Sequence, residues 1–330
     1  ITGTPARAPE GESGPFRLPG ASGAPSRVIL VASDASELSD AAVRIASQLH
    51  ERLGCDPRVI SVLPPLPGVV PPIGGALVAV PTAQTSVARS ERRRREVEVQ
   101  LRQTAGDAGA WPIAVAVGLA ADIVVEEVQA HDAALVVLGL RRHGVLEHVF
   151  RDDVAAQVMR ASPVPTLAVV SALRTLPRRV IVATDFSRAS VRAAQAALQV
   201  TGDDGELLLV HVTHTAAVPD EDSEGTVLVR TLGVQEAFAR LMRDLAPPSG
   251  ISLVPTVLEG TAPAAVLLEL AARTAVDRGA IGAHRRPAVE RFFLGSVAQT
   301  VMREAPCSVL VARGTAGAPP SPPESEDVRA

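Results

Sequence analysis

The stretch Ile281-Gly282-Ala283-His284-Arg285-Arg286-Pro287-Ala288-Val289-Glu290-Arg291-Phe292-Phe293-Leu294-Gly295-Ser296, with Val297 to Arg303 behind it, decides how the chain is read. Gly282 follows a strand of small residues, and Gly295-Ser296 opens a helix after a loop of about a dozen residues. Such a helix start exposes unpaired N–H groups and the positive end of the dipole, so a Gly-Ser entry lets an anionic group come close. The alternative is plainer: Ser296 caps the helix and Gly282 ends the strand. The same outline recurs 143 positions upstream, from Gly139 to Arg160, with Arg142 standing where Arg285 stands and Asp152-Asp153 replacing Gly295-Ser296. The following helices match too, Val154 to Arg160 against Val297 to Arg303. The chain is therefore an internal duplication, and its second copy is the better preserved site.

Working outward, each copy alternates short apolar runs with helical patterns. In the first copy the strands are predicted at Arg27–Ala32, Arg58–Leu63, Pro112–Val117, Ala134–Gly139 and Thr166–Val170. Helices are predicted from Ser36 to about Leu53, over Ser90–Thr104 and Ala120–Ala130, and after Asp152. In the second copy Val180 to Ser187 repeats the first strand and its turn, placing Asp185 where Asp34 stands. Helices then run from Ser187 to Val200, to about Leu245, after a turn opened by Gly260 to about Arg273, and from Ser296. The remaining strands are Leu207–Val212, Ser252–Leu258, Arg278–Gly282 and Ser308–Ala312. Alternating strands and helices impose parallel pairing through right-handed crossovers. The expected architecture is α/β: two doubly wound, Rossmann-like domains, each a five-stranded parallel sheet with helices on both faces. Residues 1–26 and 314–330, rich in Pro, Gly, Ala and Ser, read as disordered tails around domains at 27–170 and 178–313, with 171–177 as linker.

In such sheets ligands bind outside the carboxyl ends of the strands, where the strand order reverses. Asp185, Val212, Gly282 and Gly295-Ser296 all fall at such ends or at the last helix start. The marks Ala-Thr-Asp-Phe-Ser, His211-Val212, Gly282-Ala-His284, Gly295-Ser296 and Ala-Pro-Cys-Ser-Val-Leu-Val-Ala resemble the universal stress protein family in both copies. The resemblance implies that Asp185 contacts adenine and Val212 lines the base pocket. It further implies that Gly282, Gly295, Ser296 and Val297 approach ribose and phosphates, with His284 as a neighbour of the phosphates in the intervening loop. Arg285 departs from the family's glycine; its side chain crowds the seat, yet a guanidinium can also pair bidentately with phosphate. ATP, with Mg²⁺ as a companion ion, is the implied ligand, and the two copies are expected to pair as an intramolecular pseudo-dimer. Two chains could associate further as a homodimer, and occupancy would regulate a protein partner not named by the sequence.

The first copy is expected to bind no ATP. Asp152 and Asp153 would face a polyphosphate, and like charges about 4 Å apart repel by a few kcal/mol at an effective dielectric near 20, about two decades of affinity. Glu147, His148, Asp152 and Asp153 have no recognised metal-ligand spacing. No nucleophile, base and orienter assemble from the motif residues, so any ATP hydrolysis should be slow and incidental.

Composition narrows the rest. With 47% hydrophobic residues but only 2% aromatic and no Tyr, the cores must be aliphatic. All 32 basic residues are Arg, which excludes a Walker lysine or a Schiff base. A net charge of −4 offers no general attraction to nucleic acid or anionic lipid. The run Glu91-Arg92-Arg93-Arg94-Arg95-Glu96 lacks the interleaved aromatics of a nucleic-acid surface and reads as a solvated helix face. The Pro-rich segment 64–83 reads as an irregular loop. No apolar run reaches membrane-spanning length, and Cys55 and Cys307 occupy unrelated places in the two copies, consistent with a reducing cytoplasm.

Overall fold

A computed structural model describes residues 18–20, 22–65, 83–106, 111–140, 154–213, 223–274, 280–285 and 296–313. The first copy runs β1 (Val28–Ala32), α1 (Glu37–Leu53), β2 (Asp56–Leu63), α2 (Ala83–Ala105), β3 (Ile113–Val117), α3 (Ala120–Ala130), β4 (Leu135–Leu140), α4 (Val154–Ala161) and β5 (Thr166–Val170). The second repeats it: β6 (Arg179–Ala183), α5 (Arg188–Val200), β7 (Glu206–Thr213), α6 (Ser223–Leu245), β8 (Ser252–Glu259), α7 (Pro263–Arg273), β9 (Ala280–Arg285), α8 (Ser296–Glu304) and β10 (Ser308–Arg313).

Within each copy every strand pairing is parallel, as buried Val/Ile/Leu runs flanked by crossover helices require. The two five-stranded sheets do not stand apart. They merge into one ten-stranded sheet in the order β3-β2-β1-β4-β5-β10-β9-β6-β7-β8, joined by antiparallel pairing of the two final strands. Its central pair is Leu167 opposite Leu310, residues 143 positions apart like Gly139 and Gly282, with Ala168 opposite Val309 and Thr166 opposite Val311. The register is thus symmetric about that pair, and a local two-fold axis relates the copies. The edge that a single-copy protein would leave open is closed within the chain. Leu167, Leu310 and the residues beside them are buried, so the join lies in the common aliphatic core.

The linker is fixed at the same seam. Gln48 on α1 donates through Nε2 to the Arg174 carbonyl at 3.0 Å and accepts from the Leu176 N–H at 2.8 Å, while Leu173 and Leu176 are buried. Arg52, one turn on, donates to the carbonyls of Thr201 and Gln199 and lies 3.6 Å from Asp203.

Three expectations are corrected. Residues 18–20 and 22–26 are not an unstructured tail: Leu18 is buried, Ser26 N bonds to Leu18 O, and Ser22 N donates to Asp132 Oδ1 at 2.7 Å. Composition missed this because one buried leucine and a turn suffice to dock a short Pro/Gly segment. The helix expected from Ser90 begins at Ala83. Finally, β9 runs on through His284 and Arg285, which pair with Ala312 and Arg313 of β10; strand pairing, not a loop, holds His284. Segments 66–82, 107–110, 141–153, 214–222, 275–279 and 286–295 lie outside the described residues, and with them most of the Pro-rich segment, Glu147, His148, Asp152, Asp153, the expected strand start at Arg278, and Gly295.

Candidate functional site

The strand order reverses between β6 and β9, so the carboxyl ends of β9, β6 and β7 form the crevice such a sheet offers a ligand. Gly282 pairs with Val182 on one side of β6, and Ala183 pairs with Val210 on the other. Two residues further along, Asp185 in the turn after β6 and Val212 on β7 lie at the same ends of neighbouring strands. His284 and Arg285 extend β9 toward the same end. Ser296 begins α8, which packs on β9, with Ser296 exposed and Val297 half-buried. The fold thus gathers Asp185, Val212, Gly282, His284, Arg285, Ser296 and Val297 at one end of the sheet.

Local chemistry shapes the Asp185 turn. Thr184 Oγ1 accepts from the Phe186 N–H at 3.0 Å and lies 3.1 Å from Ser190 Oγ. Asp185 Oδ1 accepts from the Ser187 N–H at 3.0 Å, and Ser187 Oγ caps α5 by accepting from Ser190 N at 3.3 Å. This forces Phe186 into a left-handed conformation, φ 61°, which aims its ring at β7. There it lies 4.8 Å from the His211 ring and 4.9 Å, edge to face, from Phe238 of α6. His211 Nδ1 lies 2.8 Å from the Thr184 carbonyl; only the tautomer with Nδ1–H can donate there, which leaves Nε2 as an acceptor in the neutral ring. In the sequence His211 counts only as part of the strand-ending His211-Val212 mark, and that mark does not point to this cluster. In a chain with six Phe, one placed directly after the turn aspartate was the available signal.

The first copy repeats the turn bond for bond and then diverges. Ser33 Oγ accepts from the Ala35 N–H at 3.0 Å and lies 3.0 Å from Ser39 Oγ; Asp34 Oδ1 accepts from the Ser36 N–H at 3.1 Å; Ala35 has φ 59°. Ser36 holds the N-cap position of α1, but its hydroxyl turns to Asp34 at 2.5 Å instead of capping. Burial pushes the Asp34 carboxyl up, and the donors Ser36 and Ser39 outweigh it, leaving the pKa below the usual 3.8. Ala35 and Ser61 replace Phe186 and His211, so no aromatic cluster forms. Arg93 of α2 lies across the strand ends instead, donating to the Asp34 carbonyl at 2.8 Å and reaching Ser61 Oγ at 3.5 Å. When the burial of α2 and α6 is superposed, Val97 falls on Phe238 and Gln100 on Leu241, which sets Arg93 against Val234. Among the described residues, the strand ends of the first copy are thus covered by the Arg93 guanidinium, whereas those of the second carry Phe186, His211 and Phe238 beside Asp185.

The first motif glycine has a structural explanation in this copy. A Cβ on Gly139 would lie 2.4 Å from the Leu38 carbonyl oxygen in the first turn of α1. Among the described residues no group of three or more His, Cys, Asp or Glu could hold a metal ion, and no helix is long and apolar enough to cross a membrane.

Comparison with known proteins agrees with this duplication. The model of the universal stress protein family matches residues 25–170 and again 177–313. The universal stress protein MJ0531 of Methanocaldococcus jannaschii is 29% identical over 144 residues, 42% of this chain and 83% of the relative. The crystal structure of a universal stress protein from Archaeoglobus fulgidus superposes with a TM-score of 0.57 at 22% identity, covering 87% of this chain and 98% of its own. A universal stress protein solved in complex with cAMP matches 43% of this chain and 95% of its own, at 18% identity and a TM-score of 0.33. Since one family model accounts for both halves, this chain belongs to the universal stress protein family, as a tandem member that carries two copies of the unit.

Proposed function

We propose that the protein binds one adenine nucleotide, ATP, in its second copy, and that occupancy regulates a partner protein in a stress response. The observation that carries the reading is the contrast between the two strand ends. In the first copy Arg93 occupies the space beside Asp34 and Ser61. In the second, Asp185 follows the end of β6, Val212 lies near the end of the neighbouring β7, and Phe186, His211 and Phe238 cluster there. Apolar and aromatic walls with one carboxylate suit a purine base, whose exocyclic amine the carboxylate can accept. The triphosphate would reach toward β9 and the start of α8, where the helix dipole, Ser296 and Arg285 favour negative charge. His284 would then lie beside the phosphates, and Mg²⁺ would accompany them as counter-ion.

The test is a calorimetric titration of ATP into the full chain and into Gly295→Asp, which copies the first unit's Asp152 into the second. One nucleotide per chain is expected, weakened about 100-fold in the variant. AMP and cAMP titrations separate base recognition from phosphate recognition, and a run with chelator reads the Mg²⁺ contribution. No saturable binding by the parent would overturn the reading in favour of a nucleotide-free interaction module built on the same pseudo-dimer.

A further inference from the structure

The arginine run of α2 is dispersed by the helix into different environments. Arg93 turns to the strand ends, and Arg94 donates to the Ile113 carbonyl at 2.8 Å. Arg92 and Arg95 fall with Glu96, Val99 and Gln103 on one stripe, at spacings of three, four, seven and eleven residues from Arg92. That stripe forms one wall of a groove of about 530 Å³, within the range of small-molecule sites. The first turn of α1, with Glu37 and Asp40, forms the other wall.

The groove is built, not accidental. Its floor is Gln100, 5% exposed, whose Nε2 lies within hydrogen-bond distance of Ser36 O (3.1 Å), Ser39 Oγ (2.9 Å) and Asp40 Oδ1 (2.7 Å). Its Oε1 accepts from Ser33 Oγ at 2.5 Å. This network ties α1 to α2 and holds the walls at a set separation. Across the gap the charges do not neutralise each other. Arg92 pairs along its own helix with Glu96 at 2.9 Å, and among the described residues the side chains of Glu37 and Arg95 make no ion pair or hydrogen bond. Val99, 43% exposed, supplies an apolar surface in the stripe between Arg95 and Gln103. The second copy lacks the device: Arg188 and Val191 stand at the positions of Glu37 and Asp40, Glu236 at that of Arg95, and buried Leu241 at that of Gln100.

We infer that this groove is a second ligand site, independent of the nucleotide reading, which takes a small aliphatic zwitterion of net charge +1, the chemistry of a free basic amino acid. Glu96 is taken up by Arg92 and Arg93 on its own helix, which leaves Glu37 and Asp40 on one wall facing Arg95 on the other, so the lining complements one excess positive charge and repels polyanions such as nucleotides. The ligand carboxylate meets Arg95, its cationic groups meet Glu37 and Asp40, and its methylene stem covers Val99.

Titration of L-arginine and L-lysine into the full chain at low salt, followed by calorimetry and ligand-observed NMR, tests this. Saturable binding in the millimolar range or tighter is expected, at least tenfold stronger than that of L-glutamate. Arg95→Gln and Glu37→Gln should each weaken it at least tenfold. Both positions are exposed, so the melting temperature and any ATP binding should be unchanged. Absence of saturation by either basic amino acid, or binding that survives both substitutions, would overturn the inference.

Discussion

Gly139→Ala separates a packing role for the first motif glycine from a ligand role. Its new Cβ would lie 2.4 Å from Leu38 O, 2.8 Å from Leu38 C and 3.2 Å from Ser39 N, where ordinary contact begins near 3.4 Å. All three are backbone atoms in the first turn of α1, a turn anchored by Asp34, Ser39 and Gln100, so about 1 Å of displacement has to be absorbed by the main chain. Overpacking of this kind costs about 1–3 kcal/mol. The loss of glycine's freedom in the unfolded chain returns about 0.4–1 kcal/mol. The net is centred near about 1.3 kcal/mol, a fall of about 3–5 °C in Tm at about 2–4 °C per kcal/mol. Gly118→Ala is the matched control, because its Cβ would meet only Ile123 Cγ1 at 3.2 Å and Cδ1 at 3.3 Å, atoms of a side chain that can yield. It should shift stability by less than about 0.5 kcal/mol. Differential scanning calorimetry of the two variants without nucleotide decides the matter. A Gly139→Ala protein as stable as the parent, or a Gly118→Ala protein equally damaged, would refute the assignment of this glycine to helix packing.

Two further outcomes follow from the seam and the core. Arg52→Met should cost about 1–3 kcal/mol by chemical denaturation, because it leaves the carbonyl of fully buried Thr201 without the guanidinium; Asp203→Asn should cost less than about 1 kcal/mol, since that carboxylate is 69% exposed. Burial pushes the Cys55 thiol up from 9.0 to about 12, so its contribution to stability is complete below pH 9.0 and lost as pH rises toward about 12. Cys55→Ala should therefore shift alkaline unfolding to higher pH, and the native thiol should resist alkylation at pH 8 until the protein unfolds.

Much of the architecture is legible along the chain because its determinants are local. Buried runs such as Leu135-Val136-Val137-Leu138 announce a parallel strand, and α1 and α5 carry their apolar faces at helical spacing. The recurrence of Gly139 and Arg142 at Gly282 and Arg285 gives away the duplication. The turn chemistry of Asp34 and Asp185 is local as well, since each carboxylate bonds two residues ahead of itself. The extension of β9 through His284 and Arg285 was not legible: neither residue favours a strand, and only the pairing with β10 imposes one.

What the sequence determined by itself is therefore the unit: an α/β fold made twice, with Asp185, Val212, Gly282 and Ser296 at strand ends and helix starts, because periodicity and turn residues act over a few positions. Only the tertiary structure decided how the units join and how their ends differ. The antiparallel meeting of Leu167 with Leu310 makes one sheet of ten strands. Arg93 and Gln100 reach Asp34 and Ser33 across about sixty residues, and Phe186, His211 and Phe238 cluster from three separate elements. Those contacts depend on where a helix face lands on a sheet, a matter of packing between distant segments that no local pattern encodes.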